Sequence, residues 1–381
     1  MLQTITSDFK AAGHKVTVLL DERISKLNPP IIADSIIPVS CYEDTKELLV
    51  DLAKSNDAVY IIAPETGKTL QSFVEIEEQT GKVSLNSESK TIEKVADKKA
   101  LFKVLEKSAC PIPKTFVLNV NDNLARIKSL IKSKLKYPMV FKPLDGTSCS
   151  GLSIVKEETQ VGKAILKIKS ESAEPNFIVQ KFVEGETASI SMLCAKGKAV
   201  AISLNKQSVK IGGPDDLSSY EGGAVPFDHP LKLKAFKQAE IMCEIFPGLR
   251  GYVGVDIILT KDKLFVVDVN PRLTTSYVAL SRVCRINLAE ALVNSILKGS
   301  IPTLIENNGY VCFSKYEVSQ PTNIDFRRIA ELSEVVSPPF PLNSNSKACT
   351  LVAGYGDSLE NASLHLEEAK KRVFNIISRG K

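Results

Sequence analysis

Two aspartates and an asparagine, Asp256, Asp268 and Asn270, carry the clearest chemical signal in this chain. They lie in residues 251–277, GYVGVDIILTKDKLFVVDVNPRLTTSY, which read as two β-strands joined by a polar turn at 260–263. Strand alternation puts Leu264, Val266, Asp268 and Asn270 on one face and Phe265, Val267 and Val269 on the other. Folding the pair about Asp262 brings Asp256 opposite Asp268, on a shared face. Like charges held that way repel unless a cation sits between them. Oxygen ligands without His or Cys beside them suit a hard ion, Mg²⁺ or Mn²⁺, carrying nucleotide phosphates. A charged edge strand facing water is the plainer alternative, but it would show more Lys and Thr than these apolar strands do. Arg272 follows Asn270 after Pro271 and has the planar fork to hold a carboxylate or phosphoryl group; otherwise it is a surface arginine.

A second cluster starts at Lys142, which ends the apolar run YPMVFK and precedes a loop with little side-chain bulk, DGTSCSG. Backbone N–H groups at Gly146, Ser148, Ser150 and Gly151 can close over phosphate oxygens, with Lys142 as a point charge. An ordinary hairpin turn beside a strand-end lysine would look the same. A third stretch, Gln180, Lys181, Phe182, Val183, Glu184, Gly185 and Glu186, ends another strand. It can offer backbone groups to an adenine edge, apolar Phe182 and Val183 to the ring, and a carboxylate to ribose; the alternative is a solvated acidic turn. Gly67-Lys68-Thr69 mimics the end of a P-loop, but Ile62 holds the place of the earlier glycine, so the motif reads as a turn.

The elements that must position these groups alternate. Residues 1–95 predict helices at 2–12 and 44–54 and strands at 15–20, 58–62 and 83–85, a small α/β layer with parallel strands. This layer opens on a helix where such a unit normally opens on a strand. Either the start is placed late or the first strand is missing. A helix over 93–107 follows and is stopped by Cys110-Pro111-Ile112-Pro113. Next come strands at 116–118, 139–142, 152–155 and 177–182, with helices at 122–134 and 160–169. A β-rich unit spans 187–277 around a helix at 230–245, and a helix at 287–297 follows. The tail holds strands near Val311 and Thr350 and a helix at 360–377.

Composition excludes several classes. The 381 residues allow two or three domains, and 44% hydrophobic content supplies an ordinary core. No apolar run is long enough for a membrane span and no signal-peptide pattern opens the chain, so a soluble cytoplasmic protein is expected. Eight dispersed cysteines form no C-x-x-C pair, which argues against a zinc knuckle or redox dithiol. His14, His229 and His365 lack partners nearby in sequence for a hydrolytic triad or a His-ligated metal. The formal charge of +5 comes from scattered lysines, so a nucleic-acid surface is not expected, although the balance suits a polyphosphate ligand.

Taken in order, these pieces resemble the ATP-grasp superfamily over residues 98–297. Asp97-Lys98 opening a helix, with Pro111-Ile112-Pro113 after it, looks like the entry to that family's ATP domain. Lys142 with DGTSCSG resembles its phosphate lysine and glycine-rich lid. QKFVEGE resembles the adenine hinge and ribose acid, with Glu184 and Glu186 both eligible. Asp256 with DVNPR resembles the metal signature, with Asp268 in place of the commoner glutamate. VTVLLDERI, IIAPETGKTL, the Asn205-x-Gln207 step and YEGGAVP are most similar to tyramine–glutamate ligases of methanofuran-type cofactor biosynthesis.

The resemblance implies an α/β and α+β architecture: an ATP-grasp fold preceded by a small Rossmann-like α/β domain, N-terminally incomplete on this reading. Residues 1–95 would form that domain, 96–185 and 186–300 the two ATP-grasp lobes, and 301–381 a C-terminal α/β segment packed on them. It implies an ADP-producing ligase that joins a small carboxylate to an amine through an acylphosphate. ATP and Mg²⁺ (or Mn²⁺) would be required, and a homodimer stays open. Lys98 and Lys142 would meet phosphates, Asp256, Asp268 and Asn270 the metal, and Arg272 the phosphoryl or acylphosphate oxygens. The loop 145–151 would close as a lid. Residues 212–225, with Tyr220 and Glu221, would form either a second lid or a mobile surface loop. A ligase using bicarbonate or another carboxylate, and a regulator that binds nucleotide without turnover, remain alternatives.

Overall fold

The N-terminal layer holds two short parallel strand pairs, Thr17–Asp21 with Ser35–Val39 and Ala58–Val59 with Val83–Ser84. Helices Leu2–Ala11, Tyr42–Ser55 and Thr69–Gln79 accompany them. The computed structural model describes residues 1–27, 31–145, 149–303, 305–319, 322–340, 342 and 347–378. The opening helix stops at Gly13, whose φ of +84° suits glycine alone. That helix turns its buried Ile5 to the apolar side of helices Tyr277–Val283 and Leu288–Leu297. Its Asp8 accepts hydrogen bonds from Tyr277 Oη at 2.6 Å and Ser281 Oγ at 2.9 Å. The N-terminal layer is therefore fastened to the β-rich half by both core packing and a polar clasp.

A four-stranded antiparallel sheet follows, in the order Thr115–Asn119, Asn176–Lys181, Met139–Pro143, Ser153–Val155. Helices Leu124–Lys134 and Val161–Glu171 bury Ile127, Ile131, Ile165 and Ile168 with Phe141 and Phe177, whose rings stack at 5.7 Å. Among the described residues the larger sheet has eight strands. Leu264–Asn270 forms one edge, followed by Gly251–Leu259, Glu186–Ala195, Lys198–Lys210 and Ser219–Val225. Tyr310–Ser319, Lys347–Gly356 and Val335–Ser337 complete it, so strands beyond residue 301 continue the same sheet. One face packs Ile190, Met192, Val253 and Val255 against helix Lys232–Glu244. The other packs Leu193, Tyr252 and Val225 against Tyr277, Leu280, Leu288 and Leu292. Among the described residues no helix is long and apolar enough to cross a membrane.

Three expectations are corrected. The helix expected over 93–107 is two helices, Ser89–Ala96 and Lys98–Leu105, broken at Asp97. Asp97 adopts an extended ψ of 98° and its carboxylate caps the second helix, accepting from Lys99 N at 2.8 Å and Ala100 N at 3.2 Å.

Strict alternation along 264–270 also fails. Asp256 pairs with Asp268 but Ile257 pairs with Val266, so Val267 is an inserted bulge residue. Leu264, Val266 and Val269 share the core cluster, while Asp268 and Asn270 turn to the half-open face.

The third correction concerns residues 212–225. Ser219–Val225 is an interior strand of the large sheet, paired on both sides, and so is no lid. Gly222 explains it: at φ +145° it lies against the neighbouring strand, and a Cβ there would sit 2.1 Å from the Phe313 carbonyl oxygen.

Candidate active site

The bulged hairpin builds the centre of the site. Asp256 and Asp268 stand opposite one another, and neutral amides steady the first of them. Gln207 Nε2 donates to Asp256 Oδ1 at 2.9 Å and Asn270 Nδ2 donates to Oδ2 at 3.0 Å, and the Asn270 amide oxygen accepts no hydrogen bond among the described residues. Burial, then the Asp268 charge, push the Asp256 carboxyl up to about 6 against those two hydrogen bonds.

Asp268 behaves differently. Burial opposes its charge, but the Lys98 and Lys142 ammoniums and its hydrogen bonds from Lys98 and Val269 outweigh that and hold it below the usual range. Lys98 Nζ lies 3.1 Å from Asp268 Oδ2. Burial would pull the Lys98 ammonium down; Asp268 first, then Glu65 and Asp256, overcome this and raise it. The Asp97 cap thus delivers Lys98, at the first position of its helix, to the acid pair.

Lys142 approaches from the smaller sheet. Its strand ends beneath the hairpin, and Nζ donates to the carbonyl of the bulged Val267 at 3.0 Å. It also lies 5.4 Å from the centre of the Phe102 ring. Burial lowers its pKa to about 8, with the Lys98 charge adding to that and Asp268 and Asp256 opposing it. Two buried lysines, two carboxylates and an amide thus converge where the sheets meet.

Of the glycine-rich loop, Gly146 and Ser148 lie outside the described residues. Ser150 Oγ and the Gly151 N–H both donate to Glu171 Oε2, at 2.6 and 2.7 Å. Two donors expected to meet phosphate are thus gathered on one carboxylate oxygen.

The 180–186 stretch crosses from the small sheet to the large one. The Gln180 side chain is turned inward; Nε2 bonds Thr115 Oγ1 at 2.8 Å inside the sheet, because Gln180 pairs with Thr115 across the strands. The Lys181 N–H donates to Lys114 O at 2.9 Å and the Phe182 N–H to Pro138 O at 3.3 Å. Phe182 and Val183 are half-buried, and Lys181 is exposed. Glu186 is engaged, with Oε1 3.4 Å from Lys206 Nζ and Oε2 3.5 Å from His229 Nε2. Glu184 is exposed and makes no ion pair among the described residues. Gly185 is required by packing: a Cβ there would lie 2.3 Å from Leu259 O.

Arg272 leaves the hairpin toward the N-terminal layer. Nε meets Glu65 Oε2 at 2.7 Å and Nη1 donates to Leu273 O at 3.0 Å. Behind it runs a buried polar chain: Asn205 Nδ2 bonds Ser191 Oγ at 3.0 Å, Ser191 bonds Tyr252 Oη at 2.7 Å, and Tyr252 bonds Thr274 Oγ1 at 3.0 Å. The Tyr220 hydroxyl is raised by burial and by Asp256, against a hydrogen bond with Ser276. No spacing rule ties Glu65 or Gln207 to the acids. Only the folded sheet brings Gln207 across from Asp256, and only the docking of the N-terminal layer brings Glu65 to Arg272.

Among the described residues no three His, Cys, Asp or Glu side chains gather as a metal site. The donor set is two carboxylates and an amide oxygen, all hard. The protonation pressure on Asp256 is what a cation between the acids would relieve, so the residues fit Mg²⁺ that takes its remaining ligands from phosphate and water.

Residues 95–276 match the ATP-grasp domain family, and residues 14–92 match the pre ATP-grasp 3 domain. The chain is 30% identical over 262 residues to a tyramine–L-glutamate ligase of Methanocaldococcus jannaschii, covering 68% of this chain and 70% of that protein. To the ligase of the same name from Methanocaldococcus fervens it is 32% identical over 258 residues, covering 66% and 72%. The fold matches the biotin carboxylase domain of Hydrogenobacter thermophilus 2-oxoglutarate carboxylase, solved with MgADP, ADP and bicarbonate. That match has a TM-score of 0.73 at 14% identity and covers 96% of this chain and 86% of that one. With its pre-ATP-grasp layer and paired sheets around a buried acid–lysine cluster, the chain belongs to the ATP-grasp family of ATP-dependent ligases.

Proposed function

We propose that this enzyme joins a small amino-acid carboxylate to an amine, with glutamate and tyramine or a related amine as the substrate pair, through an acylphosphate. The observation that supports this reading is the convergence of Lys98 and Lys142 on the opposed acids Asp256 and Asp268, with Arg272 leaving the same hairpin to pair with Glu65. Phosphoryl transfer asks a protein for in-line placement and for neutralisation of spreading negative charge. Lys142 and Lys98 face the phosphates as buried charges. Asp256, Asp268 and the Asn270 amide oxygen hold Mg²⁺, or Mn²⁺, which when bound supplies Lewis-acid stabilisation of the phosphate oxygens.

Arg272 has Nη2 free of the contacts made by Nε and Nη1, and it meets the acylphosphate. Phe182 and Val183 flank the adenine, with Lys181 at its rim and Gln180 contributing its backbone alone. Glu184 takes the ribose, because Glu186 is already engaged by Lys206 and His229. Ser150 Oγ and the Gly151 N–H, now held by Glu171, are the described donors that turn to the phosphates.

An ADP-release assay with Mg²⁺ tests this, pairing glutamate, aspartate or bicarbonate with tyramine and other amines. ADP release that requires both an amino acid and an amine is the expected result. Release with bicarbonate alone would overturn the substrate class, and nucleotide binding without release from any pair would overturn the ligase chemistry.

A further inference from the structure

The P-loop-like stretch Gly67-Lys68-Thr69 belongs to a tight turn that begins at Pro64. The Lys68 N–H donates to Glu65 O and the Leu70 N–H to Pro64 O, both at 3.0 Å. Gly67 and Lys68 both take left-handed backbone, at φ +61° and +60°. Glycine does so freely, but a lysine there is strained. Leu70 and Val74 fix the turn from behind, fully buried with Ile92. Glu65 and Thr66 therefore stand on a stiff base.

These two residues reach different parts of the site. Glu65 Oε2 takes the Arg272 Nε hydrogen bond at 2.7 Å. Thr66 Oγ1 donates to Asp145 O at 3.2 Å, at the stem of the glycine-rich loop. The backbone that carries Arg272 is already pinned. Thr274 Oγ1 bonds Tyr252 Oη at 3.0 Å, and a Cβ on Gly254 would come within 2.4 Å of Thr274 Cγ2. Arg272 Nη1 bonds the carbonyl of its own neighbour, Leu273, at 3.0 Å. Among the described residues, Glu65 is the one hydrogen-bonding contact that another element makes with this guanidinium.

Stability does not explain the arrangement. The Arg272 and Glu65 side chains are 17% and 11% exposed, and an ion pair so covered gains little over apolar packing. Glu65 Oε1 is buried without a hydrogen-bond partner among the described residues, which is a further cost. A strained lysine, a covered ion pair and an orphan oxygen thus meet in one turn. Strain gathered this way clusters where geometry serves a reaction.

Resting on the ligase reading above, we propose that Glu65 is a positioning residue that aims Arg272 Nη2, from the N-terminal layer, at the phosphoryl group in transfer. Nη2 makes no hydrogen bond among the described residues. With Nε held by Glu65 and Nη1 by Leu273, the planar fork fixes the direction of Nη2. Thr66 registers the stem of the glycine-rich loop to the same turn.

Calorimetric titration of the full chain tests this, with MgADP alone and with added tetrafluoroaluminate, an anion that stands in for the phosphoryl group in transfer. Wild type should bind MgADP at least about 30-fold more tightly with the fluoride. Glu65→Ala should lose about tenfold of that gain, while MgADP alone stays within about threefold as the check on folding. Glu65→Gln, whose amide oxygen still accepts from Nε, should keep most of the gain. Arg272→Ala should lose the gain as well. Adding Glu65→Ala to it should remove nothing more, because one residue acts through the other.

Additive losses, an equal loss for MgADP alone, no change in Glu65→Ala, or no gain in wild type overturns the positioning role. A tighter fluoride complex in Glu65→Ala also overturns it, by showing that Glu65 holds Arg272 back. The titration needs no turnover. A chain that passes it but releases ADP with no carboxylate–amine pair keeps the role and loses the ligase chemistry. One that turns over yet fails it loses the role alone.

Discussion

The Lys142 ammonium is held at 3.0 Å by the carbonyl of Val267, the residue inserted between Asp268 and Val266 on the edge strand. The bulge thereby does two things. It turns Asp268 and Asn270 out of the core-facing set, and it offers the smaller sheet's lysine an anchor on the larger sheet. Bulges recur where a strand must re-aim a side chain, and this one positions both the Asp268 carboxylate and the Lys142 ammonium.

That anchor separates catalysis from stability. Burial depresses Lys142 to about 8, so its charge is carried at a cost that phosphate is expected to repay. Lys142→Met should lower ATP-dependent turnover by about 10²–10³-fold. Thermal unfolding should stay unchanged or rise slightly, because a buried charge is removed from the free enzyme. Steady-state kinetics and a melting curve on the same preparation check this. A large fall in melting temperature would make Lys142 a structural residue instead.

Asp268 carries the opposite risk, because it serves Lys98 as well as the proposed metal. Asp268→Asn keeps the shape and removes the charge. The Mg²⁺ concentration for half-maximal rate should rise by at least about tenfold. Unchanged metal dependence, measured by Mg²⁺ titration at saturating ATP, would mean that Asp268 only pairs with Lys98.

Some of this was legible before folding and some was not. The opposition of Asp256 and Asp268 was expected from a turn centred on Asp262; the real turn pairs Leu259 with Leu264, and the bulge at Val267 is what brings Asp268 opposite Asp256. The bulge at Val267 was invisible, because an inserted residue leaves no mark in a run as apolar as Leu264–Asn270. The break at Asp97 was read in part: the resemblance put Asp97-Lys98 at the opening of a helix, where the structure has it, while apolar periodicity on both sides ran a single helix across it. Gly222 and Gly223 looked like loop residues; their demand for close backbone approach is set by Phe313 and Lys206, far along the chain. Glu65 and Arg272 are 207 residues apart, a separation that no local pattern spans.

Glu171 is the next handle, because its Oε2 occupies both Ser150 Oγ and the Gly151 N–H. If these donors serve phosphate, the carboxylate competes with ATP for them. Glu171→Ala should therefore lower the KM for ATP by about threefold to tenfold, an exposed competitor being worth little more than that. A higher KM would show that Glu171 shapes the loop for binding and does not hold it back.

Glu77 tests the electrostatics away from the site. It is fully buried on helix Thr69–Gln79, and neither carboxylate oxygen has a hydrogen-bond partner among the described residues. Burial raises its pKa above the usual carboxylate value, with Glu78 adding to the rise and the nearby Ser84 hydroxyl and Arg250 guanidinium opposing it. A carboxyl whose pKa is raised on folding binds its proton more tightly in the folded state. Its contribution is therefore most favourable below the unfolded pKa and is lost as pH rises from there through the folded value. Glu77→Gln should raise the melting temperature at pH 7.5, and the gain should shrink to nearly nothing near pH 4, where both forms are neutral. Calorimetry of the two proteins across that range checks the sign. An equal gain at both ends would assign the effect to packing, and a loss at pH 7.5 would mean that the buried carboxylate is paired in solution.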